Sequence, residues 1–246
     1  MRTLIRDVSI FDGSGSALQT GSVLVDGERI ARVAYGADAL AGETADVTID
    51  GRGKTLMPGL VDAHTHLTWG SSVEKIYHQF ILPPDELKVA AWRNARVLLD
   101  HGFTSIYSAG ALGDMIEPEL AQAIAAGETP GPRMVPSTLE RSPEGDEGVE
   151  TGDVFNGRGP DAMRKFVSYC KDEGVQSIKL VVSGEDALKP GSAMQVLYTA
   201  EEMLAAGEAT REAGMWIATH AYSPEAIGLA LDAGARILYH LSLIHI

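Results

Sequence analysis

The residues with the clearest capacity for chemistry are His64 and His66, one residue apart at the end of the stretch Thr55-Leu56-Met57-Pro58-Gly59-Leu60-Val61-Asp62-Ala63. Read as one short apolar strand, this stretch puts both rings on the same face, where two imidazoles can chelate one cation. The competing reading packs both rings and must find partners for four ring nitrogens. Lys179 comes next. It lies in Ser177-Ile178-Lys179-Leu180-Val181-Val182. Ile178, Leu180 and Val182 share the face expected against helices, and Ser177, Lys179 and Val181 share the face expected to line an interior. An unpaired ammonium in such a place is costly. Carbamylation by CO2 resolves the conflict, because the amine then becomes a carboxylate able to bridge two cations. The ordinary alternative is a lysine whose head snorkels to water. His220 ends Met215-Trp216-Ile217-Ala218-Thr219-His220, and His240 ends Ile237-Leu238-Tyr239-His240. Either alone reads more readily as a hydrogen-bonded core histidine. Four histidines and a lysine at the ends of four strands are hard to explain by packing. Such ligands suit Zn2+, with Mn2+, Fe2+, Co2+ or Ni2+ as alternatives.

Those side chains need elements that bring several strand ends to one place. Residues 1–56 read as a small β domain, too thin to stand alone and expected to form part of a composite β-sandwich. Leu4–Phe11 carries β-formers and ends in a turn cluster, Asp26-Gly27 signals a hairpin between Ser22–Val25 and Arg29–Val33, and Val47–Ile49 is a further short strand. From 57 to 246 strand and helix alternate. Helices are expected from Asp85 as N-cap to about Asp100, near Met115–Ala126, from Asp161 as cap to Gly174, from the capping box Thr199/Glu202 to Gly214, and from the N-cap Ser223 to Gly234. The strands between them are Phe103–Tyr107, Arg133–Thr138, Val175–Val182, Met215–His220 and Arg236–His240, with a loop over Glu140–Pro160. Glycine stops after the helices predict parallel strands with right-handed crossovers. The polar candidates end different strands, which favours a (β/α) barrel over an open doubly wound sheet, since only a barrel gathers those ends at one mouth. Six strand–helix units are visible where a complete barrel has eight, so the chain reads as an incomplete TIM barrel.

Composition narrows the function classes. The chain has 246 residues, 45% hydrophobic and 22% charged, with a formal charge of −14. Such a charge argues against nucleic acid or an anionic membrane surface as partner and leaves a small-molecule substrate, with a homo-oligomer open. No window is long and apolar enough for a membrane span. Cys170 is the only cysteine, so no internal disulfide forms, and charge appears too early for a signal peptide; a cytoplasmic protein is expected.

The marks Met57-Pro58-Gly59-Leu60-Val61-Asp62-Ala63-His64-Thr65-His66, Ile178-Lys179, Thr219-His220-Ala221 and Ala233-Gly234-Ala235 leading to His240 resemble the amidohydrolase superfamily, closest to its imidazolonepropionase-like and prolidase-like branch. The resemblance implies two divalent metal ions, with His64 and His66 on the more buried one, His220 and His240 on the more exposed one, and carbamylated Lys179 as bridge. It implies catalytic roles for Lys179, His220 and His240. The implied reaction is hydrolysis of a C–N bond, in an amide, cyclic amide or dipeptide, by a metal-activated hydroxide, with an aspartate after the eighth strand handling the proton. That aspartate is not in the chain, and relatives usually place a glycine or short polar turn directly after the sixth-strand histidine, where this chain has Leu241-Ser242-Leu243-Ile244-His245-Ile246. The expectation is a C-terminally truncated enzyme. Three rivals remain: a mononuclear deaminase of the same fold, a non-catalytic scaffold, and an inactive fragment.

Other residues carry smaller expectations. His101 suits a helix C-terminus, and Asp62, close to His64 in the same stretch, suits a supporting role. His78 and Tyr222 are candidates to face substrate, and the acidic run Glu144–Glu150 could favour a cationic one. His245 belongs to the aberrant tail, and Cys170 is an idle helical thiol.

Overall fold

The computed structural model describes residues 1–69, 83–137, 139–143, 157–186 and 189–241. His78, the Glu144–Glu150 run and His245 lie outside the described residues. The chain divides into two compact units, Met1–Gly59 and Leu60–Ile246.

The first unit is a five-stranded sheet. Strands β1 (Arg2–Ile10), β2 (Gln19–Asp26) and β3 (Arg29–Tyr35) form an antiparallel meander, and β4 (Val47–Asp50) and β5 (Thr55–Leu56) both pair parallel with β1. The hairpin falls where Asp26-Gly27 predicts it, with Gly27 at φ 57°. A bulge between Ile5 and Val8 interrupts β1. Two small apolar clusters, Leu4/Leu24/Leu40 and Val8/Ile10/Val23, hold the sheet.

The second unit repeats strand and helix. Its strands are β6 (Leu60–Thr65), β7 (Phe103–Ser108), β8 (Arg133–Val135), β9 (Ser177–Val181), β10 (Trp216–Ala221) and β11 (Ile237–His240). Its helices among the described residues are α1 (Pro84–Asp100), α2 (Ile116–Ala125), α3 (Pro160–Asp172), α4 (Ala200–Ala213) and α5 (Pro224–Asp232). All strand pairs are parallel, in the orders β6-β7-β8 and β9-β10-β11. Two hydrogen bonds join the triplets: the Arg141 N–H donates to the Lys179 carbonyl (2.9 Å) and the Val181 N–H to the Arg141 carbonyl (3.0 Å). The six strands thus follow one another in chain order, as in a barrel with six of its lanes.

Helices cover the outer face. Ile178, Leu180 and Val182 pack with Phe166, Met203 and Ala226 in the larger core, and α1 and α2 close a second core around Ile106. The inner face holds small and aromatic residues, Ala109, Ala218 and Tyr239. The capping box of α4 is present, with the Glu202 N–H donating to Thr199 Oγ1 (3.2 Å) and the Thr199 N–H to Glu202 Oε2 (2.8 Å). Ser223 caps α5 as its sequence predicts.

The structure corrects four local expectations. The stretch 55–66 is two strands in two sheets: Pro58 and Gly59 separate β5 from β6, and His66 lies just past the strand end. Asp85 and Asp161 are not N-caps; α1 and α3 start at Pro84 and Pro160, so the carboxylates fall in the first turn, where they still face the helix dipole. Strand β8 stops at Val135, ahead of Pro136. Finally, the segment after it is no simple loop: Leu139 bridges to Ala111 and Arg141 to Leu180, so Glu140 sits within the sheet layer.

Candidate metal centre

Strand β6 delivers His64 and His66 with ring centroids 5.2 Å apart, on one side as alternation predicts. His240 reaches them from the far end of the strand series, 5.1 Å from His64. His220 lies 4.5 Å from His240. The four rings therefore converge at the C-terminal ends of β6, β10 and β11. His240 achieves this at φ 74°, and Leu241 follows at φ 58°. The left-handed conformation, normally a glycine's, is carried here by two side-chain residues at a cost of about 1 kcal/mol each.

Each ring is held by its surroundings. A carbonyl oxygen only accepts, so His66 Nδ1–H donates to the Gly110 carbonyl (2.9 Å), which leaves Nε2 with its lone pair. His220 Nε2–H donates to the Gly184 carbonyl (3.2 Å), which leaves Nδ1. The Trp69 indole stacks on His66 at 4.0 Å, and the Tyr239 ring lies 4.0 Å from His64. Tyr239 also donates its hydroxyl to the Ala63 carbonyl (2.8 Å), so β11 holds on to β6 through a side chain. The Asp62 carboxylate accepts from the His64 N–H (3.0 Å).

Lys179 is fully buried on the inner face, as its strand pattern predicts. Its ammonium donates to the Ala109 carbonyl (2.7 Å) and lies 3.6 Å from Glu140 Oε2. It also stands over the Tyr239 ring at 4.8 Å. The charge is therefore not unpaired, and carbamylation is not needed to explain its burial. Glu140 supplies the answer that sequence reasoning lacked. Its other oxygen, Oε1, lies 3.5 Å from His66 Nδ1 and has no hydrogen-bond partner among the described residues although it is buried.

Electrostatics put the rings in the ligating form. Burial, helped by the Lys179 charge, pushes His64 down to about 4. Burial and the neighbouring His220 push His240 down to about 3. His66 and His220 are lowered too, mainly by burial. Burial also lowers Lys179, against the pull of Glu140. For Glu140 burial works upward, but Lys179 and His66 outweigh it and hold the carboxylate below its usual range. Neutral imidazoles beside an ionised carboxylate are what a divalent cation binds.

Among the described residues, no three His, Cys, Asp or Glu side chains yet stand around a common point as metal ligands do. His66 Nδ1 and His220 Nε2 are engaged with backbone carbonyls. The donor set still fits a cation: four neutral rings, a carboxylate with one idle buried oxygen, and a lysine share one strand-end cluster.

Around this cluster, Tyr222 stands edge-on to His220 (4.8 Å) and 5.0 Å from His240, and Glu185 Oε2 is 3.6 Å from His220 Nε2. Burial and then Glu185 raise the Tyr222 phenol. His101 is remote: its Nδ1–H donates to the Val97 carbonyl (2.8 Å) at the end of α1. Cys170 is buried on the core face of α3. Glu140, Tyr239, Trp69 and Glu185 escaped sequence reasoning. Only Tyr239, next to His240, had a positional signal.

The cluster lies in a chain whose residues 55–245 match the amidohydrolase family. The chain belongs to that family. It is 31% identical over 147 residues to an imidazolonepropionase of Idiomarina loihiensis, covering 50% of this chain and 36% of that protein. It is 46% identical over 65 residues to a 5'-deoxyadenosine deaminase of Methanothermobacter thermautotrophicus, covering 26% of this chain and 14% of that protein. A prolidase crystallised with N-methylphosphonate-L-proline superposes with a TM-score of 0.79 at 26% identity, over 97% of this chain and 60% of that one. The chain thus spans 14% to 60% of the length of these relatives. No helix among the described residues is long and apolar enough to cross a membrane.

Proposed function

We propose that the protein to which this chain belongs is a metal-dependent hydrolase of C–N bonds in small amides, cyclic amides or dipeptides. The observation that carries this is the convergence of His64, His66, Lys179, His220 and His240 at one end of a parallel strand series in an amidohydrolase-family chain. These five residues would hold two divalent ions, Zn2+ being the first expectation, with Lys179 carbamylated as the bridge. In forming that bridge the neutral amine adds to CO2, making one N–C bond and releasing one proton. The ions, when bound, would activate water and polarise the scissile carbonyl.

The chain's own residues do the rest. Gly110 and Gly184 fix the His66 and His220 tautomers, so that one nitrogen of each ring is free to ligate. Trp69 and Tyr239 pack against His66 and His64 and would hold those rings in place. Tyr222, 5.0 Å from His240 and hydrogen-bonded to Glu185, would face a substrate beside the histidines.

The test is metal analysis of the purified chain, together with hydrolysis assays on N-acyl amino acids, dipeptides and cyclic amides using the protein extended to the length of its relatives. Two equivalents of metal, lost when His64 and His66 are replaced by alanine, are expected. Metal-free protein that takes up no Zn2+, Mn2+ or Co2+ refutes the proposal. The mononuclear deaminase reading draws on one specific feature, the Lys179–Glu140 ion pair, which gives the lysine a role without a second ion. One equivalent of metal with unmodified Lys179 would select it.

A further inference from the structure

We propose that Glu140 is itself a metal ligand of this centre, a carboxylate that the candidate set of histidines and lysine leaves out. The inference rests on the metal-dependent reading above and adds a donor to it.

Four observations converge on this residue. Glu140 comes from the third lane of the strand series, between the lanes that carry His66 and Lys179. Its two oxygens face those two residues, at 3.5 Å from His66 Nδ1 and 3.6 Å from Lys179 Nζ. Oε1 is buried yet accepts no hydrogen bond among the described residues. A buried carboxylate oxygen without a donor is costly, and such atoms mark an absent ion or a functional role. The fourth observation is the space made for it. A Cβ added at Gly110 would lie 2.2 Å from Glu140 Cγ, 2.8 Å from Cδ and 2.9 Å from Oε1, and Gly110 has φ 116°. The missing side chain at 110 is the cradle in which Glu140 lies, and the carbonyl of the same glycine anchors His66.

Chemistry connects the ion pair with the ligand role. While Lys179 is an ammonium, Glu140 neutralises it. When the lysine becomes a carbamate, its positive charge is gone and two anions face each other across a few ångströms. Divalent cations bound there would relieve that repulsion, and among the described residues Glu140 Oε1 has no hydrogen bond to give up. One glutamate thus serves as counter-ion of the metal-free site and donor of the loaded one.

Co2+ is the probe, added to the full metal-free chain in bicarbonate buffer and followed by its visible absorption and by competition with a chelator. Glu140→Gln keeps the shape and removes the charge; it is expected to weaken Co2+ about tenfold or more and to change the absorption envelope. Glu140→Asp is expected to fall between Gln and wild type. A second measurement needs no variant: on adding Co2+ to the wild-type chain, a carboxylate infrared band shifts. Glu140→Gln protein that binds Co2+ with wild-type affinity and spectrum overturns the inference while leaving the histidine site standing. So does an unmoved carboxylate band in a chain that binds Co2+. A wild-type chain that binds no Co2+ overturns the underlying metal reading as well.

Discussion

Glu117 offers a quantitative test of how the strand ends beneath the candidate metal centre are held. It is fully buried in the first turn of α2. The Ser137 N–H donates to its Oε2 (3.3 Å), and the Ser108 hydroxyl and Leu67 N–H also face it, so one carboxyl ties together the ends of three lanes. Burial outweighs these donors and pushes the group from 4.5 up to about 7. The folded value lies above the unfolded one. Glu117 therefore contributes full stability below pH 4.5, where both states are protonated, and loses it as pH rises toward 7, where the unfolded chain ionises first. A shift of that size corresponds to about 3 kcal/mol. The perturbation is Glu117→Gln, which keeps the shape and cannot ionise. Unfolding free energies of both proteins are measured in urea at half-unit steps from pH 4.5 to 8. The offset caused by the amide itself is independent of pH and cancels in the slope. The stability of wild type relative to Gln should fall by about 3 kcal/mol across the range and level off above pH 7. A flat difference would show that Glu117 is ionised in the fold and that its donors outweigh burial, refuting the reasoning.

Further outcomes follow from single contacts. In the metal-free chain, the His240 ring C–H resonances should stay flat from pH 8 to 5, because burial and the neighbouring His220 push that ring down to about 3; a midpoint near 6.5 would contradict this. Gly207→Ala should destabilise by about 1–3 kcal/mol or prevent folding, since its Cβ would lie 2.1 Å from the Ala233 carbonyl oxygen at the approach of α4 to α5; an unchanged melting temperature contradicts that packing. Thr199→Ala removes the capping-box acceptor for the Glu202 N–H and should cost about 1 kcal/mol in denaturant unfolding, with Thr199→Ser restoring most of it.

Patterns local in sequence were readable without coordinates. His64 and His66 share a side because strand alternation is a property of the backbone. Lys179 faces inward because Ile178, Leu180 and Val182 must face the helices. The Thr199/Glu202 box, the Ser223 cap and the glycines closing each helix are likewise short-range chemistry. What sequence could not decide is which distant side chains share a charge. Glu140 lies in a polar stretch behind Pro136 that reads as loop, and only backbone pairing of Leu139 and Arg141 with neighbouring lanes draws it into the sheet layer. Lys179 looked unpaired because its partner is 39 residues upstream. Tyr239 shows the same limit: its hydroxyl meets the Ala63 carbonyl 176 residues away, because the strand series brings β11 to β6. The sequence by itself determined the element types, the parallel strand order and the five candidate ligands. Tertiary structure alone decided the charge balance among them, because burial and pairing are set by the three-dimensional neighbours of a group and not by its neighbours in the chain.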